Sequence, residues 1–344
     1  MKLGVLGYAN LRSGDGLFAW EFIHYLKADS MLSVGSVKGQ SKWIERQHGC
    51  FGAPTDGDIE RYIEKYKPGV IIFSETPFNF NLFDIAKKHG IKTVGVGMHE
   101  SPAFPRLNPD VLICPCESAW EKSSHPNKVR LFLPIGLELF PFRERMEHEF
   151  IFNLGYVGVC DRRQIGATLE AFQKAGGKNT LVVRAQANEH LLPDMPHGYE
   201  KSKESDYDYV YPRIILRIYN YDLPTDIYRN GDISIQISAY GGYERMILES
   251  MASGMPTLTV NADPMNMFQP DEDFLMPPHP EPLNSPHTWN TIYNRVDVDE
   301  LADKFRWLAK IDTRKYSHAA RKAAESMSWE SGKYTQAWRD IIEG

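Results

Sequence analysis

The stretch YGGYERMILESMASGMPTLTV, residues 240–260, reads as a loop, a helix and a buried strand. It sets two carboxylates, Glu244 and Glu249, at the start and on the body of one helix, directly after Gly241-Gly242. A helix start offers unpaired N–H groups and the positive end of the helix dipole, which suits a phosphate. A carboxylate further along can accept hydrogen bonds from a sugar hydroxyl pair, as acids do in other nucleotide-binding α/β folds. The plain alternative is a capped helix with an exposed glutamate, and the residues alone leave both readings open. A second candidate lies upstream, where Arg162-Arg163 opens RRQIGATLEAFQKAG. Guanidinium groups grip phosphates bidentately. Two cations at the positive end of a helix need an anion nearby, which favours a binding role over a solvated pair.

Weaker candidates lie in the first half. LRSGDG, residues 11–16, follows the first strand, and Gly14 and Gly16 would let a ligand approach the backbone. A lone Gly-x-Gly is a weak signal. GVGMHESP ends a strand with His99 and Glu100. A histidine there is either a hydrogen-bonded structural residue or a substrate contact. Glu75, in FSETP, and Arg106 are further candidates on that side. The four cysteines, Cys50, Cys114, Cys116 and Cys160, are scattered. Cys114-Pro-Cys116 has the wrong spacing for a zinc knuckle or a redox pair. All four read as reduced, mostly buried thiols of a cytoplasmic protein, and no metal ligand is assigned.

The elements that must position these residues alternate. KLGVLGY, MLSVGSVK, PGVIIFSE, IKTVGVGM, PDVLICP and KVRLFLP are strand-like, separated by helical LFAWEFIHYLKAD, DIERYIEKYK, FNLFDIAKKHG and ESAWEKSS. The second half repeats the theme with FIFNLGYVG, TLVVRA, RIILRIYN, DISIQIS and PTLTV, a short helix at LPTDIYRNG with Thr225 as its N-cap, and three closing helices. Continuously apolar strands alternating with helices predict parallel sheets covered on both faces. Pro264 to Thr291 is rich in Pro, Asp and His and reads as a long surface loop. A chain of 344 residues predicts two domains, joined here between Pro134 and Glu149. Two doubly wound domains, with ligands beyond the carboxyl ends of their strands, would face each other across a cleft. Residues 1–142 hold 16 basic against 15 acidic side chains and residues 143–344 hold 23 against 30, so neither half binds polyanions by bulk charge. No apolar run reaches the roughly 20 residues of a membrane span, and MKLGVLGYAN reads as a first strand rather than a signal peptide.

SAYGGYERMILESMASGMPTLT resembles the donor-binding signature of family-4 glycosyltransferases, which have the two-domain GT-B fold. Leu248, Glu249, Met251, Ala252, Gly254 and Pro256 match its helix, and Gly242 and Tyr243 match its loop. The first glutamate of the family pattern falls on Gly241, so that acid is absent, and Glu244 stands three positions later. LPIGLELFPF is similar to the family's domain linker, Tyr228 and Asp232 match the segment before the strand, and SWESGKYTQAWRDII resembles the terminal helix. Counting back from Ala171-Phe172, the family's lysine falls on Arg163; its arginine falls near Val159, so Arg162 is the substitute.

The resemblance implies an α/β GT-B chain. It would have an acceptor-side Rossmann-like domain over 1–142, a donor domain over 143–325, and a terminal helix, 326–344, crossing back to the first. It implies a hexosyl- or pentosyltransferase using a nucleotide-diphosphate sugar, with retention and with no metal or other cofactor. Gly14, Gly16, Arg162, Arg163, Gly241, Gly242 and Tyr243 would bind the donor, Glu249 its ribose, and His99 and Glu244 would lie at the reacting sugar. The acceptor is a glycan, a small molecule or a modified DNA base, the last as in phage-borne relatives. The rival class is a degenerate GT-B binding protein without catalysis, which the missing acid at Gly241 favours.

Overall fold

The computed structural model describes residues 1–11, 13–35, 42–156, 162–186, 200–203, 208–219, 223–282 and 292–344. The chain divides into two compact units.

The first unit holds Met1–Gly136 and Ser328–Gly344. Its strands are β1 (Leu3–Tyr8), β2 (Ser30–Val34), β3 (Gln47–Gly49), β4 (Val70–Ser74), β5 (Lys92–Val96), β6 (Val111–Cys114) and β7 (Lys128–Arg130). They form one parallel sheet in the order β3-β2-β1-β4-β5-β6-β7. Val5, Ile71, Ile72 and Phe73 have no exposed surface, so both faces of the sheet are covered, which explains the uninterrupted apolar runs. The helices are α1 (Gly14–Tyr25), α2 (Asp56–Tyr66), α3 (Leu82–Lys88) and α4 (Glu117–Lys122). Helix α2 opens on a capping box between Thr55 and Asp58. The terminal helix, Lys333–Glu343, belongs to this unit: the Trp338 indole donates to the Phe132 carbonyl at 3.2 Å and packs at a tilt against Phe22, with ring centroids 5.3 Å apart.

The second unit holds the described residues from Leu137 to Met327. Its strands are β8 (Phe150–Tyr156), β9 (Leu181–Gln186), β10 (Glu200–Lys201), β11 (Asp208–Tyr211), β12 (Ile214–Ile218), β13 (Ile233–Gln236), β14 (Thr257–Val260) and β15 (Leu275–Met276), in the order β10-β11-β12-β9-β8-β13-β14-β15. From β12 to β15 the sheet is parallel, and β10 and β11 extend it antiparallel. A separate antiparallel pair joins β16 (His279–Pro282) to β17 (Ile292–Arg295). The helices are α5 (Ile165–Ala175), α6 (Pro224–Ile227), α7 (Arg245–Ala252), α8 (Val298–Leu308) and α9 (Thr313–Ser326). Phe150, Phe172 and Phe305 form an edge-on aromatic cluster between β8, α5 and α8.

Two local readings are corrected. Thr225 is inside α6 and Leu223 is its N-cap, because Pro224, with its fixed φ and missing N–H, takes the first helical position. The Pro264–Thr291 segment is not one loop in its described part. Phe274 and Met276 are buried, and β15 adds to the sheet edge, because three apolar residues within the polar composition suffice for a short strand. The edge strands β3, β10 and β11 lack the apolar runs by which their neighbours are read. Cys50, Cys114 and Cys116 are buried thiols, and burial pushes Cys50 and Cys114 up to about 11. Cys160 and Val159 lie outside the described residues.

Candidate functional site

In an open parallel sheet, neighbouring strands whose connections run to opposite sides leave a crevice at their carboxyl ends. In the second unit that point lies between β8 and β13. Arg162 and Arg163 follow β8, and Ser238 to Glu244 follow β13. The two loops are stapled together. The Ala239 N–H donates to the Arg162 carbonyl at 2.8 Å. The Gln164 amide donates to Ile237 O at 3.3 Å and Asn294 O at 3.1 Å, and accepts from the Val296 N–H at 3.1 Å. Gln164 itself sits in the left-handed region (φ 52°), which starts α5 at Ile165 rather than at the arginines.

Glu244 is also left-handed (φ 51°, ψ 45°) at the N-cap of α7, so its side chain turns back over the loop instead of continuing the helix. Arg162 Nη2 lies 3.2 Å from its Oε1, and Arg163 Nη1 pairs with its Oε2. Arg163 Nη1 also donates to Ser238 Oγ, which in turn donates to Glu244 Oε2 at 2.9 Å. The Glu244 side chain is fully enclosed and that of Arg163 is 7% exposed. Burial pushes the Glu244 carboxyl upward, but Arg163 and Arg162 outweigh it and hold the group below the usual carboxylate range. A Cβ at Gly241 would collide with Glu244 Oε1. The carboxylate thus occupies the space in which a side chain at position 241 would begin. Gly241 and Gly242 are buried beneath it, and Tyr243 is buried edge-on against Phe268, with ring centroids 5.0 Å apart.

Glu249 belongs to a separate network. Its Oε2 accepts from the Tyr228 hydroxyl at 2.7 Å and its Oε1 from Arg245 Nε at 2.8 Å, all three side chains being buried. Burial and the Glu249 charge push the Tyr228 hydroxyl well above its ordinary pKa.

In the first unit, strand order reverses between β1 and β4. Gly14 and Gly16 open α1 there, with Ser13 Oγ accepting from the Gly16 N–H at 3.1 Å. A Cβ on Gly16 would collide with the Asn10 carbonyl, whereas one on Gly14 meets nothing within 4 Å. Asp15, between them, accepts from Ser74 Oγ at 3.3 Å, and burial raises its carboxyl to about 6 against the hydrogen bonds from Ser74 and Glu75. Sequence reasoning passed over Asp15, although an acid between two glycines after a first strand was the available signal. It also passed over Ser238 and Gln164, whose roles depend on contacts between distant loops. His99 is 3% exposed, with its Nδ1 3.7 Å from Cys116 Sγ. Arg106 lies over the Phe80 ring, 3.9 Å from its centroid. Of the site residues read from the sequence, the fold therefore gathers Arg162, Arg163, Gly241 and Glu244 at one point. It sets Glu249 in its own network, and it holds His99, Gly14 and Gly16 in the first unit.

No protein-family model and no curated protein sequence matches the chain. Solved structures do. Sucrose-phosphate synthase from Thermosynechococcus elongatus superposes with a TM-score of 0.70 at 11% identity, covering 100% of this chain and 99% of that one. HepE of Anabaena, solved in complex with UDP and glucose, gives 0.67 at 11%, with 100% and 99% covered. A glycosyltransferase from Rickettsia africae gives 0.65 at 12%, with 99% and 98% covered. The chain has the GT-B fold of these proteins, two Rossmann-like domains.

Proposed function

We propose that the protein is a glycosyltransferase that takes its sugar from a nucleotide-diphosphate donor bound in the second unit. The observation that carries this reading is the convergence of Arg162 and Arg163 on one enclosed carboxylate, at the strand-order reversal of a GT-B sheet. The fold supports it, as does the UDP-glucose held by HepE. Glu244 acts as the resident anion: it pairs with both guanidinium groups until a diphosphate competes for them. Once displaced, its carboxylate lies at the mouth of the Gly241 loop, where it can accept from a donor-sugar hydroxyl. The arginines then stabilise the charge that develops on the leaving diphosphate, which lowers the barrier most where the donors are preorganised. Transfer proceeds with retention, the donor phosphate taking the acceptor proton. Glu249 acts through the position of α7, fixed by Tyr228 and Arg245, or by opening toward the ribose when the nucleotide enters.

Mass spectrometry of small molecules released from the purified protein tests the donor class. A nucleoside diphosphate or its sugar conjugate is expected. Absence of any bound nucleotide, together with no calorimetric binding of UDP, GDP, ADP or dTDP, would overturn the reading.

A further inference from the structure

A cluster of distinct chemistry lies in the first unit, on the sheet edge at β3. Successive side chains of a strand alternate between faces, so His48, in β3, and Cys50, just past it, point the same way. The turn that follows leads into α2, whose capping box places Asp58 in the first helical turn. The imidazole, thiol and carboxylate that result each offer a ligand atom, and these atoms lie within 4.8 Å of one another. Bonds of about 2.0–2.3 Å to a tetrahedral zinc ion set neighbouring ligand atoms about 3.3–3.8 Å apart, so side-chain adjustments of about 1 Å complete the arrangement.

The second observation concerns His48 Nε2. It is buried, has no hydrogen-bond partner among the described residues, and faces Asp58 Oδ1 across 3.7 Å. A buried ring nitrogen without a partner is costly. Beside a thiol and a carboxylate it has the chemistry of a metal ligand. Cys50 is 3% exposed, while the His48 and Asp58 side chains are 22% and 20% exposed, so the cluster is closed at the thiol and open on the side of the other two. Asp58 Oδ2 is committed to the Thr55 N–H and hydroxyl, at 2.9 and 2.6 Å. Its Oδ1, the atom facing His48, is met by Arg61, whose side chain is 63% exposed and able to swing away.

The geometry points to a divalent, thiophilic cation of the zinc class bound by His48, Cys50 and Asp58, with the open position taken by water. The mixed nitrogen, sulfur and oxygen set suits zinc rather than magnesium or calcium, which take all-oxygen shells. Cys50 binds as its thiolate and its proton passes to solvent. Arg61 is a competing counter-cation, not a ligand. His-x-Cys with its cysteine eight residues ahead of an aspartate matches no familiar metal-binding spacing, so the sequence alone does not show the site.

Cobalt(II), added to the full-length protein after chelator treatment, is the direct probe. A thiolate-to-cobalt charge-transfer band in the near ultraviolet, saturating at one equivalent and displaced by zinc, is expected. Cys50→Ser should abolish that band. His48→Gln and Asp58→Asn should weaken zinc binding roughly tenfold or more, measured against a chromogenic chelator. Asp58→Asn keeps an oxygen for the cap, so its loss of affinity does not report a lost helix start. Arg61→Ala should tighten binding. Lack of the band in the wild-type protein overturns the proposal without reference to any variant, and so does its persistence in Cys50→Ser.

Discussion

The Glu244 carboxylate is withdrawn from water, and Arg162, Arg163 and Ser238 replace its hydration. Removing one partner from such a set strands the others: Glu244→Gln should lower the stability of the unliganded protein by about 3 kcal/mol, read from denaturant midpoints. The same change removes the anion that competes for the guanidinium groups, so nucleotide diphosphates should bind about tenfold tighter by calorimetry while turnover falls. Wild-type affinity and turnover together would leave Glu244 as a structural counter-ion. Arg163→Ala should act in the opposite direction, weakening binding by about 1.5–3 kcal/mol for a lost charged hydrogen bond. The sign of the pH effect follows from the depressed carboxyl. Its stabilisation is fully present above the ordinary carboxylate value and is lost as pH falls through the lower folded value. An acid titration followed by circular dichroism should therefore be flatter in Glu244→Gln. The sequence showed that an acid is missing at Gly241 and present at Glu244. It did not show the left-handed backbone that folds Glu244 back into the vacated space, because a positive φ at a non-glycine residue depends on the contacts that repay it.

A helix start lies beside each strand-reversal point, and its chemistry is local enough to be read in part. Parallel strands and long helices were legible because burial on both faces demands uninterrupted apolar runs and amphipathic helices demand a 3.6-residue period. The pairing of β13 beside β8, which brings Ser238 to Arg163, was not legible, since strand order is decided by packing between segments over eighty residues apart. The two glycines of the first loop carry the next prediction. Gly16→Ala drives a Cβ into the Asn10 carbonyl and should destabilise the first unit by about 1–3 kcal/mol. Gly14→Ala has open space and an ordinary helical backbone, and should be neutral or stabilising by up to about 1 kcal/mol. Equal melting temperatures for the two variants would mean that the turn at Asn10 relaxes freely.

At the scale of the molecule, a GT-B fold is kept at 11% identity over nearly the whole chain. Such divergence is possible because the fold requires apolar strands in a fixed order, while a binding site requires a few side chains at one reversal point. With the donor bound in the second unit, as proposed, a nucleotide diphosphate should stabilise that unit. Saturation at about 100 times Kd contributes about 2.7 kcal/mol to whatever the ligand holds folded. Hydrogen–deuterium exchange locates that contribution. With excess nucleotide diphosphate, amides of β8, β13, α5 and the first turn of α7 should slow, because opening any of them releases the ligand. Amides of β3 and α2, where His48, Cys50 and Asp58 lie, should exchange at their unliganded rate, and in Arg163→Ala the slowing around β13 should shrink at the same nucleotide concentration. If protection falls instead on the strands of the first unit and spares β13, the donor does not bind at the arginines, and the assignment of Arg162, Arg163 and Glu244 fails with it.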